Sequence, residues 1–340
     1  MAKRKGCYCG IGGQAVLEGI MMKNGDKYAV AVRKPDGEIG FDVEHYAGVL
    51  AGHKIKEIPF IRGIFNFIDS MILGTRCLNY SASFYEEEEE ESGLDKALNK
   101  ATGGNAEKVM TIFVTILSVI LAVGIFIVLP YFLSGLLKGY IRNESLMAII
   151  EGCIRIGIFI LYILAISLMK DIRRLFMYHG AEHKCINCIE HGYPLTVRNV
   201  KRSSRQHKRC GTSFIFFVFI VSIVLFFFIR VDNTLEKVVL RVLLIPLVAG
   251  ISYEIIRLAG RSNNILVKIL SAPGLLVQKL TTKEPDEQMI EVAIAAVEAV
   301  FDWKAFLNER FGYVEPEEAE SSNEKDEESA DPVVQSKGPI

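Results

Sequence analysis

Two long stretches of this 340-residue chain, Val109 to Leu137 and Gly211 to Ile229, contain no charged residue at all. About 20 apolar residues suffice to cross a bilayer, so both read as transmembrane helices. Net charge is nearly absent as well, −1 from 39 basic and 40 acidic residues, which argues against a chain that acts as a polycation on nucleic acid. The glycine-rich opening from Gly10 to Gly19 lacks a Lys-Ser or Lys-Thr pair at phosphate-loop spacing, so nucleotide binding is not expected. Behind the basic residues of Met1 to Lys5 there is no long apolar core, and no signal peptide is expected.

What the chain does have is 50% hydrophobic residues, bunched into blocks. Leu146 to Met169 is apolar apart from Glu151 and Arg155, one helical turn apart and able to pair, while Val238 to Ala259 carries Arg241, Glu254 and Arg257. These read as further spans. The segment between the second and third spans holds ten basic residues, among them Lys170, Arg173, Arg174 and Lys184, against only Arg230 and Lys237 between the third and fourth. By the positive-inside rule the first of these loops is cytoplasmic. An even number of spans then places both termini in the cytoplasm of a cell whose inner membrane holds the protein, where its seven cysteines stay reduced. The expected fold is mainly α: a polytopic helical membrane protein with about four transmembrane helices and a small cytoplasmic N-terminal region containing a β-hairpin.

Five regions are expected. In residues 1–58, Lys27 to Arg33 and Glu38 to His45 flank the turn signal Lys34-Pro35-Asp36-Gly37, which predicts the hairpin. In 59–108, Ile61, Ile64, Phe65, Ile68, Met71 and Ile72 recur at helical spacing, giving an amphipathic helix that faces membrane or core, followed by the Glu86 to Glu91 run as a solvated linker. Residues 109–262 form the transmembrane domain with a cytoplasmic histidine loop, 170–212. In 263–312, Ile265 to Leu280 is interrupted by Lys268, Pro273 and Gly274 and reads as interfacial, and Ile290, Ile294, Val297 and Phe301 stripe one side of another helix. The acidic tail, 313–340, is expected to be disordered.

The chemistry lies in Tyr178-His179-Gly180-Ala181-Glu182-His183 at the membrane edge. His179 and His183 are four residues apart, on one helical stripe facing the core, and protonating one imidazole disfavours protonating the other. A divalent metal resolves that conflict by using both as neutral ligands. The order His-x-x-Glu-His matches the inverted zincin arrangement, which makes Glu182 the general-base candidate. Further ligands come from His207-x-x-Cys210, just before the third span, and Glu254, at similar depth in the fourth. The competing metal reading is a closed structural knuckle of Cys185, Cys188, His207 and Cys210, with no position left for water. Gln14 and Glu18 in the glycine-rich segment either dip toward the metal or belong to a tight loop entering the hairpin. Cys7 and Cys9 read as free thiols, and His45, His53 and His191 as ordinary. Lys201, Arg202, Arg205, Lys208 and Arg209 lack interleaved aromatics, so membrane lipids with anionic headgroups are the expected partner and nucleic acid is not.

Three segments together, Gly12 to Met22, Tyr178 to Lys184 and His207 to Ser213, resemble the YqhQ-like family of bacterial membrane proteins of unknown function, over nearly the whole chain up to about Arg310. The resemblance implies membrane integration and the family's general label of metal-dependent enzyme, without a reaction. Carried over by position, it marks Gln14, Glu18, His179, Glu182, His183, His207, Cys210 and Glu291. Cys185 is not part of that pattern.

The resulting expectation is a divalent metal, zinc by donor type, held at the cytoplasmic interface by His179, His183 and His207, with Cys210 or Glu254 completing the set. Hydrolysis of a lipid-like or membrane-embedded peptide substrate is the expected activity, with Glu182 taking a proton from water and Arg209 steadying the oxyanion. The alternative is a non-catalytic membrane scaffold or assembly factor whose metal clamps the loop. A metal transporter is a third reading, disfavoured because the uncharged spans offer almost no polar ligands.

Overall fold

A computed structural model describes residues 6–85, 106–141, 143–229, 233–261 and 264–315. The expected solvated glutamate run and disordered tail lie outside these residues, the tail apart from its first three. The described residues are mainly helical, with one antiparallel sheet near the N-terminus.

The sheet has four strands in sequential order: β1 (Ile11–Val16), β2 (Gly19–Asn24), β3 (Lys27–Arg33) and β4 (Ile39–His45). The expected hairpin is β3–β4, with Arg33 opposite Ile39 across the Pro-Asp-Gly turn. The glycine-rich segment, in contrast, is not merely a loop. It forms a second hairpin, β1–β2, turning at Leu17 and Glu18, and Glu18 takes the left-handed conformation with φ 47°. Glycines read locally as loop because they favour no strand; here a Cβ at Gly13 would stand 2.6 Å from the Met21 carbonyl oxygen and 2.8 Å from the Met22 sulfur on β2, and 3.1 Å from the Cγ of Glu182.

Alternation along the strands divides their side chains between two layers. Met21, Tyr28, Val30 and Val32 pack with Leu73 and Cys77 of α1 (Ile61–Ala82), the expected amphipathic helix. Ile20, Met22, Ala29 and Ala31 face the other way, into a larger core shared by α5 (Lys170–Glu190) and α11 (Glu287–Val300). Ile290 and Val297 are fully buried there, as their stripe predicts. The histidine helix is therefore built into the sheet's core.

Among the described residues, three helical stretches are long and apolar enough to cross a membrane: Ile112–Gly135, Ser145–Ile166 and Gly211–Phe228. The first joins α2 (Ala106–Val123) to α3 (Leu129–Gly135) through a π-helical turn at Gly124–Val128; the others are α4 (Glu144–Ile166) and α7 (Gly211–Phe228). The segment expected as a fourth span breaks into α8 (Thr234–Leu243) and α9 (Ile245–Arg261). Pro246 falls in the first turn of α9, where its missing N–H has no intrahelical partner to lose. Neither piece meets the length and apolarity of a span. Ile265 to Leu280, read as broken by Pro273, instead lies within one helix, α10 (Ile265–Thr281), packed along α7. The remaining α-helices among the described residues are α6 (Val197–Arg202) and α12 (Trp303–Phe311).

Candidate metal centre

On α5, Tyr178, Ala181, Cys185, Ile186 and Ile189 face the sheet core, which leaves His179, His183, Lys184 and Asn187 for the adjoining side. These side chains read the backbone of the loop after α6. Lys184, buried, donates to the carbonyls of Lys201 (2.9 Å) and Ser203 (3.1 Å), and Asn187 to those of Ser204 (2.6 Å) and Gln206 (3.0 Å). Gln278 of α10 fixes the end of the loop, accepting from the His207 N–H (2.9 Å) and donating to the His207 carbonyl and the Ser213 hydroxyl, both 2.7 Å. A loop held at five carbonyls and one N–H delivers Cys210, the N-cap of α7, to the histidines.

His179, His183 and Cys210 each offer a ligand atom, and these atoms lie within 4.8 Å of one another. The rings of His179 and His183 have centroids 4.4 Å apart. Nδ1 of His179 lies 2.9 Å from the Thr281 carbonyl, and Nδ1 of His183 lies 2.7 Å from the Arg205 carbonyl. A carbonyl only accepts, so both Nδ1 atoms carry the proton and both Nε2 atoms are left as bases. The Nε2 of His179 stands 3.1 Å from the Cys210 sulfur. Zinc bond lengths would separate tetrahedral His and Cys ligands by about 3.5 Å, so a few tenths of an ångström of opening admit the ion. Cys210 also caps α7, its sulfur accepting from the Thr212 N–H at 3.4 Å. Two tautomer-fixed imidazoles and a cysteine at a helix N-terminus suit a borderline-soft divalent cation, and His179 is only half-buried, leaving a side open.

Gly180 is explained by the return of the chain. After α10, the Lys283 N–H donates to the Phe176 carbonyl (2.8 Å), and a Cβ at position 180 would run into the Lys283 carbonyl oxygen. That approach also brings up the Thr281 carbonyl that orients His179.

The other expected residues are dispersed. His207 is not in the trio; its ring is 5.7 Å from that of His183, and its Nε2 faces Glu190 at 3.4 Å. Burial works against a charged Glu190, but His207, Arg209 and the Cys9 backbone N–H outweigh it and hold the carboxyl below its ordinary range. Arg209, expected to steady an oxyanion, is engaged with Glu190, 3.3 Å from His207 and stacked 4.1 Å above the ring of Tyr8. Glu182 packs against Gly13 of β1; burial pushes its carboxyl up, opposed by His179 and the Gly13 N–H.

Glu254 is removed from the cluster by Arg62, which grips it through Nε (2.6 Å) and Nη2, while the Phe60 N–H donates to it at 3.2 Å. Gln14 lies against Gly74 of α1, on the sheet face away from Glu182. Glu18 pairs with Arg174 and accepts from the Tyr178 hydroxyl at 3.2 Å, tying the β1–β2 turn to α5. Glu291 pairs with Arg33 at 3.0 Å and so joins α11 to β3. The closed knuckle is not assembled: Cys185 is buried in the core with its thiol pushed well up by burial, and Cys188 donates to the carbonyls of Tyr193 and Pro194. All seven cysteines are free.

Glu190, Asn187 and Gln278 were missed from sequence. Glu190 and Asn187 follow His183 by seven and four residues, on its own stripe, and Gln278 is an uncharged polar residue in an apolar run. Nothing in their spacing names the partner each one meets.

A family model described as "Protein of unknown function (DUF1385)" matches residues 58–303. The chain is 37% identical over 284 residues to "Uncharacterized protein YqhQ" of Bacillus subtilis (strain 168), covering 83% of this chain and 89% of that one. No solved structure matches.

Proposed function

Starting from the fact that the chain belongs to the DUF1385 family, we propose that it is a multi-pass protein of the cytoplasmic membrane that binds a divalent metal, zinc by donor type, through His179, His183 and Cys210. Both termini and the histidine loop lie on the cytoplasmic side in this reading. The core shared by β2, β3, α5 and α11 supports one side for both termini and the histidine loop, with α8 and α9 together making the fourth, returning crossing, and the basic loop around Lys201, which meets anionic lipid headgroups, supports the cytoplasmic side. The observation that carries the metal is the trio itself, with both Nδ1 atoms committed to backbone carbonyls.

The activity proposed is hydrolysis of an amphiphilic substrate, a lipid or a membrane-embedded peptide. A bound divalent ion supplies Lewis acidity and brings the pKa of water to near neutral. Glu182, whose burial raises its proton affinity within electrostatic reach of His179, takes the proton. Arg209 is given no role in the reaction, because Glu190 holds it. The second reading, a metal that only clamps the loop, is favoured by the depth of Glu182 and by the many bonds that fix residues 201–210.

Metal analysis of purified protein tests the centre: wild type holds about one zinc per chain, and His179→Ala, His183→Ala and Cys210→Ser lose most of it. Retention of wild-type metal by the histidine variants would defeat the assignment. Glu182→Gln divides the two readings, for it keeps metal in both but restores function to a deletion strain only if the metal is a clamp.

A further inference from the structure

We propose that Arg155, Arg241 and Glu151, buried among the apolar helices, form a binding site for an anionic amphiphile, a phosphate or carboxylate head on an apolar tail. The inference rests on α4 and α7 being membrane spans and does not depend on the metal centre.

Arg155 stands eleven residues from either end of α4, roughly 16 Å from each at the helical rise per residue. Ser222 of α7 and Arg241 of α8 meet it there. Arg155 donates to the Glu151 Oε1 at 2.9 Å and to the Ser222 hydroxyl at 3.2 Å. Arg241 donates to the Glu151 Oε2 at 2.7 Å, and its Nη1 stands 2.6 Å from Oε1 without the alignment of a hydrogen bond. All three charged side chains are buried. Two guanidiniums thus share one carboxylate, and among the described residues the cluster carries one excess positive charge.

The rings of Phe226 and Tyr131 lie against the guanidiniums at 5.0 to 5.7 Å, but a ring face supplies no neutralising charge. The Arg155 Nε–H is buried without a hydrogen-bond acceptor among the described residues. An unmatched cation and an orphaned donor are both costly at hydrocarbon depth, and both are relieved by an anion with two oxygens, the shape a guanidinium fork fits. An inorganic anion would have to leave its hydration shell to reach this level, whereas an amphiphile carries its head along the helix surface.

The test uses the full-length protein in nanodiscs of phosphatidylcholine alone or mixed with phosphatidylglycerol, with inorganic phosphate as a third arm and the unfolding midpoint as readout. Phosphatidylglycerol is expected to raise the midpoint by several degrees. The rise should persist at about 1 M salt, where the Debye length is about 3 Å and attraction to the exposed basic loop is screened. Arg241→Gln, which removes the excess charge, should lose the rise, and Arg241→Lys should keep most of it. Equal midpoints in the two lipids, abolition of the rise by salt, an undiminished rise in Arg241→Gln or an equal rise with inorganic phosphate would each overturn the proposal. If Arg241→Gln does not fold, the wild-type salt series decides alone. Carbonate extraction of membranes is run in parallel: release of the protein sinks the spans themselves, whereas a retained protein without the lipid effect sinks only this site.

Discussion

The sheet-and-helix head and the apolar helices solve the problem of polar groups in opposite ways. Around α5 the buried polar side chains Lys184, Asn187 and Gln278 all find acceptors or donors in backbone, and apolar side chains point inward from both sheet faces. From residue 112 to 129 no side chain is buried inside the protein, and Ile120 is 61% exposed. The head has the organisation that water imposes, with apolar burial as the main stabilising term. The long helices have the organisation that lipid permits, where backbone bonds are satisfied within each helix and side chains need no protein cover.

Five substitutions would break or sharpen this contrast. Gly180→Ala strikes the tightest approach in the head and should cost about 3 kcal/mol in chemical denaturation. Because it displaces the Thr281 carbonyl from His179, metal affinity should fall at least about tenfold; an unchanged metal content would show that this carbonyl does not orient the ring. Ile120→Arg places a charge on the outward face of the first apolar helix and should cost about 3 kcal/mol of membrane insertion. Phe41→Arg on the exposed edge strand β4 should stay within about 0.5 kcal/mol, and equal effects at the two sites would erase the distinction between the regions.

Gln278→Ala removes three buried hydrogen bonds from the loop that carries Cys210 and should cost about 2 kcal/mol, read as a lowered midpoint with α-helical content unchanged. The last effect is read from the pH dependence of Glu182. Burial raises its proton affinity, so its stabilising contribution is fullest below its ordinary value of 4.5 and is lost as pH rises. In chelated protein Glu182→Gln should therefore melt above wild type at pH 7, with the two curves converging below about pH 4.5. A lower midpoint for the variant at neutral pH would mean that the carboxylate form is the one the fold favours.

Much of this fold is legible in one dimension. Two of the apolar helices follow from runs without charge and the third from a run interrupted only by Glu151 and Arg155, the β3–β4 hairpin from its Pro-Asp-Gly turn, and α1 and α11 from their stripes. The histidine pair follows from a spacing of four. Less legible were the elements whose local signal conflicts with their neighbours: the glycine-rich β1–β2 hairpin, held by its pairing with β3 and its contact with α5, and the expected fourth span, which restarts at Pro246. Within the candidate site, sequence nominated His207, Glu254 and Arg209 by type and depth, but other charged groups claimed each of them. Glu190 took His207 and Arg209, and Arg62 took Glu254.

By itself the sequence determined where apolar helices form and that two imidazoles share one helical face, because charge content and a period of 3.6 residues are local properties. Only the tertiary structure decided that Cys210 rather than His207 completes the trio. That choice depends on a loop whose path is set by Lys184, Asn187 and Gln278 bonding to backbone groups, and a backbone carbonyl has the same chemistry at every position until the fold brings one within reach.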